Sequence, residues 1–148
     1  MKINENLSGS WRRDGFKQLH KTKLGNGKYA TDLDFCLVDV IRSPSQDAWI
    51  VVAFLDYKSP LDEIKMTEIA VYNQLIKIAP LFIIEGETVE KGPFTIKEYT
   101  GGIIYPYSHT PAEEAFLVFT ECVENWSEFR DWENALRENR KCRTQPKS

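Results

Sequence analysis

Hydrophobic and polar positions alternate along this 148-residue chain on two different periods. The run Trp49-Ile50-Val51-Val52-Ala53-Phe54-Leu55 is apolar on both faces and stops at Asp56-Tyr57-Lys58. A strand apolar on both faces is expected at the centre of a sheet covered on both sides. Residues 30–41 are rich in β-branched and aromatic side chains and predict the strand before it, with turn chemistry at 42–47 between the two. "LFII" at 81–84 and "PFTIKEY" at 93–99 predict two shorter strands. The first is expected parallel to an earlier strand, through a right-handed crossover.

Helical spacing occurs three times. Residues 8–22 place Trp11, Phe16 and Leu19 on one stripe, and the glycine-containing loop 23–28 follows. Ser59, Pro60 and Asp62 suit the N-cap, N1 and N3 positions of a helix running to about Ala79, before Pro80. Its apolar face is Leu61, Ile64, Tyr72, Leu75, Ile76 and Ala79. Residues 126–140 carry Trp126, Phe129, Trp132 and Leu136 at three-to-four spacing, and a mobile tail is expected at 141–148. Between these, 100–111 reads as a loop, and Thr110-Pro111-Ala112-Glu113 repeats the N-cap signature. The segment 115–119 fits helix or strand equally. The expected fold is a single α/β domain over residues 1–148, with a core at 30–99: one mixed sheet with helices on both faces and an extra C-terminal helix.

Composition narrows the class. Hydrophobic content of 42% with 28% charge is ordinary for a globular domain. No apolar run approaches a membrane span, and the N-terminus lacks a signal-type apolar region, so a cytoplasmic protein without membrane partners is expected. Cys36, Cys122 and Cys142 are odd in number and widely spaced, which indicates neither a zinc site nor a disulfide framework. Net charge is −3, but residues 11–28 hold six basic side chains against Asp14 alone, and residues 137–148 hold five against Glu138. Such ends present a basic face to a polyanion or are simply solvated surface.

The two long strands predict a cluster. If their turn centres near Ser45, paired residue numbers add to about 90. Asp34 then faces Asp56, and Asp32 faces Lys58. Directly opposed residues share a face, so Asp32, Asp34, Asp56 and Lys58 gather at one sheet end. Two carboxylates held this close call for a shared proton or a cation between them, and their oxygens suit Mg²⁺ or Mn²⁺. Lys58 beside such an ion can orient a water or stabilise anionic charge. The bland alternative is a structural Asp–Lys pair. Other chemistry finds little support. There is no GxxxxGK[ST], GxGxxG or GxSxG motif, and Cys36 has no evident base. His109, between Tyr107 and Pro111, fits an aromatic loop that stacks on bases or covers a core edge.

A glycine-containing loop, Asp-Leu-Asp-Phe entering a strand, a turn, an apolar strand ending Asp-Tyr-Lys, and a helix together resemble the PD-(D/E)XK, or restriction-endonuclease-like, nuclease superfamily. The resemblance covers roughly residues 10–85. It implies an αβββαβ core and Mg²⁺-dependent hydrolysis of phosphodiester bonds, in DNA more than RNA. It implies Asp34 and Asp56 as metal ligands with the Tyr57 carbonyl, and Lys58 as the motif lysine. Gln74 matches a helix glutamine of some branches. No glutamate stands in the first helix, where His20 is the nearest polar residue, and Glu68 on the second helix is a candidate to complete the acid set or a solvated residue. Arg12, Arg13, Lys17 and Lys21 would then contact phosphates. A homodimer is compatible with this reading. The alternative is a non-catalytic nucleic-acid-binding or protein-interaction module that keeps the fold.

Overall fold

The computed structural model describes residues 33–105 and 112–144. The chain divides into two compact units, 1–30 and 31–148, and every described residue lies in the second. The expected helix 8–22, with His20 and the basic residues Arg12, Arg13, Lys17 and Lys21, lies outside the described residues, as do Asp32, Tyr107 and His109.

Five strands form one mixed sheet in sequential order: β1 (Phe35–Ile41), β2 (Ala48–Lys58), β3 (Leu81–Glu85), β4 (Phe94–Tyr105) and β5 (Ala112–Val123). β1 and β2 are an antiparallel hairpin, β2 and β3 run parallel, and β3–β4 and β4–β5 are antiparallel. Parallel neighbours need a crossover. Helix α1 (Met66–Leu75) lies within the β2–β3 connection. Helix α2 (Trp126–Thr144) follows β5. Asn125 caps α2, its Oδ1 accepting from the Glu128 N–H at 3.0 Å.

Strand alternation divides the core into two layers. Leu37, Ala53, Leu55, Phe82, Ile84, Phe94 and Ile96 form one with Phe129, Trp132 and Leu136 of α2. Phe54, Leu81, Ile83 and Tyr99 form the other with Tyr72 and Leu75 of α1. The helices therefore cover opposite faces, as the apolar pattern of β2 requires.

Four expectations are corrected. The Ser59-Pro60 signature caps a single turn instead of a helix. The Asp62 carboxylate accepts from Ser59 N–H, and Asp62 N–H donates to Ser59 O, both at 3.0 Å. Leu61 within this turn is 94% exposed and has no packing to extend the coil. The helix starts only at Met66, where Glu68 Oε1 accepts from the Lys65 N–H at 3.0 Å. The Thr110–Glu113 signature opens no helix either: from Ala112 the chain is strand, because pairing with β4 outweighs local capping chemistry. The loop expected at 100–111 is strand as far as Tyr105, and residues 106–111 lie outside the described residues. Finally, the tail expected from 141 is helical to Thr144. Lys141 Nζ sits 3.2 Å from Asp39 Oδ2, while Arg137 and Arg140 donate to the carbonyls of Val38 (2.7 Å) and Val51 (3.3 Å). This end of the second basic segment grips the sheet.

Two devices anchor α1. Its last turn leads to Pro80, whose carbonyl accepts from Phe54 N–H at 2.8 Å. Asn73 reaches β4, donating to Gly102 O (3.0 Å) and accepting from Gly102 N–H (3.0 Å) and the Tyr99 hydroxyl (2.8 Å). Gly102 is required by this approach, since a Cβ there would lie 2.7 Å from Ile69 Cγ2 and 3.1 Å from Glu114 O.

Candidate active site

The hairpin register places the acids. Phe35 pairs with Leu55, Cys36 with Phe54 and Leu37 with Ala53, so paired numbers add to 90 at this end; a bulge between Leu37 and Val38 shifts them to 89 beyond it. Continuing the same ladder brings Asp34 opposite Asp56. Asp34 Oδ2 accepts from the Tyr57 N–H at 2.8 Å. Its carboxyl acts on Asp56 both as a like charge and as a hydrogen-bonding neighbour.

Asp56 and Lys58 share the face that α1 covers, because they stand two apart in β2. Asp56 is 4% exposed. Lys58 Nζ lies 3.6 Å from Asp56 Oδ2. Two residues of α1, four apart and hence on one helix face, close the cluster from above. Glu68 is 6% exposed and pairs directly with Lys58. The Tyr72 hydroxyl donates to Asp56 and lies 3.0 Å from Glu68 Oε2. The result is a chain of groups, with Asp56, Tyr72 and Glu68 buried and Asp34 and Lys58 half-buried at its ends.

Burial drives the electrostatics. It pushes the Asp56 carboxyl up to about 7, and Asp34 adds to the rise, while Tyr72 and Lys58 oppose it. Burial also works against the charged Glu68, but the Lys58 ammonium and the Lys65 N–H outweigh it and hold this carboxyl below its ordinary value. Burial disfavours the Lys58 ammonium in turn, yet Glu68 and Asp56 more than compensate, so Lys58 stays charged to unusually high pH. The Tyr72 phenol is driven far upward, by burial first and by the two carboxylates next, and it acts as a fixed donor.

Tyr57 points the other way. Its ring packs with the α2 layer and its hydroxyl donates to Gly86 O at 2.6 Å. Gln74 is not brought to the cluster. It is exposed at the end of α1, with Lys77 Nζ 3.4 Å from its Oε1. Tyr72 occupies the place above Asp56 instead. Sequence reasoning assigned Tyr72 only to the apolar face of its helix. The signal that it does more was the Glu68–Tyr72 spacing above a strand that ends in charge. Glu68 is buried and ion-paired, which removes its reading as a solvated residue.

Depressions open on both sides of the strand end. One of about 340 Å³ is lined by Lys58, Asp62, Glu63, Glu85 and Glu113. The other, about 470 Å³, reaches Asp34 and Tyr57 across an apolar floor that includes Leu55, Phe94 and Trp126. Among the described residues, no three His, Cys, Asp or Glu side chains converge as a metal-ligand set. A hard cation at this site would rest on the Asp34 and Asp56 carboxylates and the Tyr57 carbonyl, with waters completing its shell. Mg²⁺ is commonly bound in this way, through one or two carboxylates. The raised Asp56 carboxyl fits that role, since a cation offsets both the burial and the Asp34 charge that raise it.

No family model matches the chain, and no curated protein or solved structure matches it. Among the described residues, no helix is long and apolar enough to cross a membrane.

Proposed function

We propose that the chain is a metal-dependent nuclease that hydrolyses phosphodiester bonds, in DNA more than RNA. One observation carries the reading: two carboxylates, Asp34 and Asp56, stand side by side at the end of β2, with the Lys58 ammonium 3.6 Å from the second. Bound Mg²⁺ or Mn²⁺ would supply Lewis-acid activation of a water and of the phosphate. Asp34, Asp56 and the Tyr57 carbonyl would hold it. Lys58 keeps a positive charge beside the position where anionic charge develops, and Glu68 fixes its direction. Tyr72 orients the Asp56 carboxylate from the buried side. His20 and the basic residues Arg12, Arg13, Lys17 and Lys21 belong to the same proposal as phosphate contacts, with an intracellular nucleic acid as partner. The acidic lining beside Lys58 repels a polyanion, so counter-charge from such residues is needed for binding.

A plasmid-cleavage assay with Mn²⁺ or Mg²⁺ tests the reading. Wild type should cleave, and chelator, Asp56→Ala or Lys58→Ala should each abolish cleavage. Equal product in all arms refutes it. A second reading, a non-catalytic binding module of the same fold, is favoured by the Lys58–Glu68 pair, which engages the ammonium. Calorimetric titration with Mn²⁺ separates the two. Uptake that disappears in Asp34→Ala supports the nuclease, and no uptake supports the module.

A further inference from the structure

The cavity on the α2 side, at about 470 Å³, has the size of a small-ligand site. Five aromatic rings border it, those of Phe35, Tyr57, Phe94, Trp126 and Phe129. Trp126 is 52% exposed and yet fixed in place. Its Nε1–H donates to Val89 O at 3.1 Å, and its ring meets Phe94 at 5.1 Å and Phe129 at 5.3 Å, both edge-on. The loop 86–93 that carries Val89 is braced in turn. Gly86 O accepts from the Tyr57 hydroxyl, and Lys91 N–H donates to Thr88 Oγ1 at 3.3 Å. Phe35 on β1 is 60% exposed and adds a second open ring. Such rings, held in place before a ligand arrives, suit the face of a flat molecule.

The polar groups select the ligand further. The Tyr57 hydroxyl and the Trp126 N–H are already engaged by Gly86 and Val89. The other polar side chains among the described lining residues are two carboxylates, Asp34 and Glu133. Asp34 accepts from Tyr57 N–H at 2.8 Å and Glu133 from Arg137 Nε at 3.1 Å. A carboxylate offers about four acceptor sites, so both keep capacity for a donor. Ring faces with acceptors take a flat ring that carries N–H donors, and they repel a phosphate or carboxylate. Asp34 also stands beside Asp56, so the cavity borders the position proposed for the cation.

We propose that this cavity receives one unstacked nucleobase of the substrate, whose exocyclic amino group donates to Glu133. The inference rests on the nuclease reading and adds a base preference to it. Stacking on aromatic side chains accepts every base, so Glu133 supplies the discrimination. Adenine, cytosine and guanine carry an exocyclic amino group. Uracil and thymine present an N–H set between two carbonyls, which a carboxylate repels. A base inside a duplex cannot enter such a cavity, so cleavage is directed to single-stranded or displaced nucleotides.

Nucleosides test this without metal or phosphate. The full chain is titrated in chelator with deoxycytidine and with deoxyuridine, which differ in the amino group, and binding is followed by nuclear magnetic resonance at the Trp126 indole N–H. Deoxycytidine should saturate with a Kd on the order of 1 mM, and deoxyuridine should bind about tenfold more weakly. Glu133→Gln, whose amide both donates and accepts, should remove the preference. Phe35→Ala should weaken both nucleosides about tenfold, with circular dichroism unchanged in either variant. No saturable binding of deoxycytidine, equal binding of the two nucleosides to wild type, or binding unchanged in both variants overturns the proposal. Saturation by benzamidine but by neither nucleoside overturns it too and leaves the cavity to an organic cation. The nuclease reading is judged separately by plasmid cleavage. Cleavage without nucleoside binding overturns the base pocket alone, and the predicted nucleoside pattern without cleavage supports the pocket while removing the nuclease.

Discussion

On the face covered by α2, Phe82 meets Trp132 edge-on at 5.1 Å, and Phe94 meets Trp126 at 5.1 Å and Phe129 at 6.0 Å. On the face covered by α1, the same strands bury Asp56 and α1 buries Glu68. The first face is held by area and ring geometry, which are additive and tolerant of pH. The second depends on each ionisable group keeping its partner, because an orphaned buried charge is costly. One sheet thus carries an apolar layer and an ionisable layer, and a shift of one residue along β2 would exchange them.

The sharpest break in this comparison lies on the apolar face. Phe94→Ala empties a ring site beneath Trp126 and Phe129 and should cost about 4 kcal/mol in urea unfolding. Lys58→Met removes a charge on the other face and strands Glu68. It should cost about 3 kcal/mol at neutral pH despite preserving volume, and Lys58→Met combined with Glu68→Gln should recover part of it. A third change reads the pH axis. The folded Asp56 carboxyl holds its proton up to about 7, whereas the unfolded one releases it near the ordinary value of 3.8. Between those values the native state binds more protons, so this group makes stability fall as pH rises, by up to about 1.4 kcal/mol per unit. Asp56→Asn mimics the protonated form and should flatten that slope, so that its stability relative to wild type rises from pH 4 to pH 7. A slope unchanged by the substitution would show that Asp56 does not set it. The smallest effect belongs to the exposed turn, where Arg42 and Asp47 pair at 2.8 Å. Arg42→Ala should change stability by about 0.5 kcal/mol or less.

The site was legible where one local rule determined it. The turn at 42–47 set the hairpin register, and the two-residue period then put Asp56 and Lys58 on one face without any knowledge of the helices. Glu68 and Tyr72 were less legible because α1 begins six residues later than its apparent cap. Only the true start shows which of its faces meets the sheet. Gln74 was misplaced as well: two positions from Tyr72 is about 200° around the helix, which puts it on the opposite side. The strand at 112–123 was hidden because "AFLVF" has no period of its own and long-range pairing with β4 decides its state. The capping signatures at Ser59 and Thr110 are short-range signals, and neither says how far a helix continues.

Asn73 gives the face under α1 a mechanical property. Its single amide joins α1 to both backbone groups of Gly102 and to the Tyr99 hydroxyl, one residue from Tyr72. The helix cannot slide along the sheet without breaking three hydrogen bonds together, and Gly102 leaves no slack for a compensating shift. The roof over Asp56 is thereby riveted to the far hairpin, and a load applied to that hairpin is delivered to the phenol directly above the carboxylate.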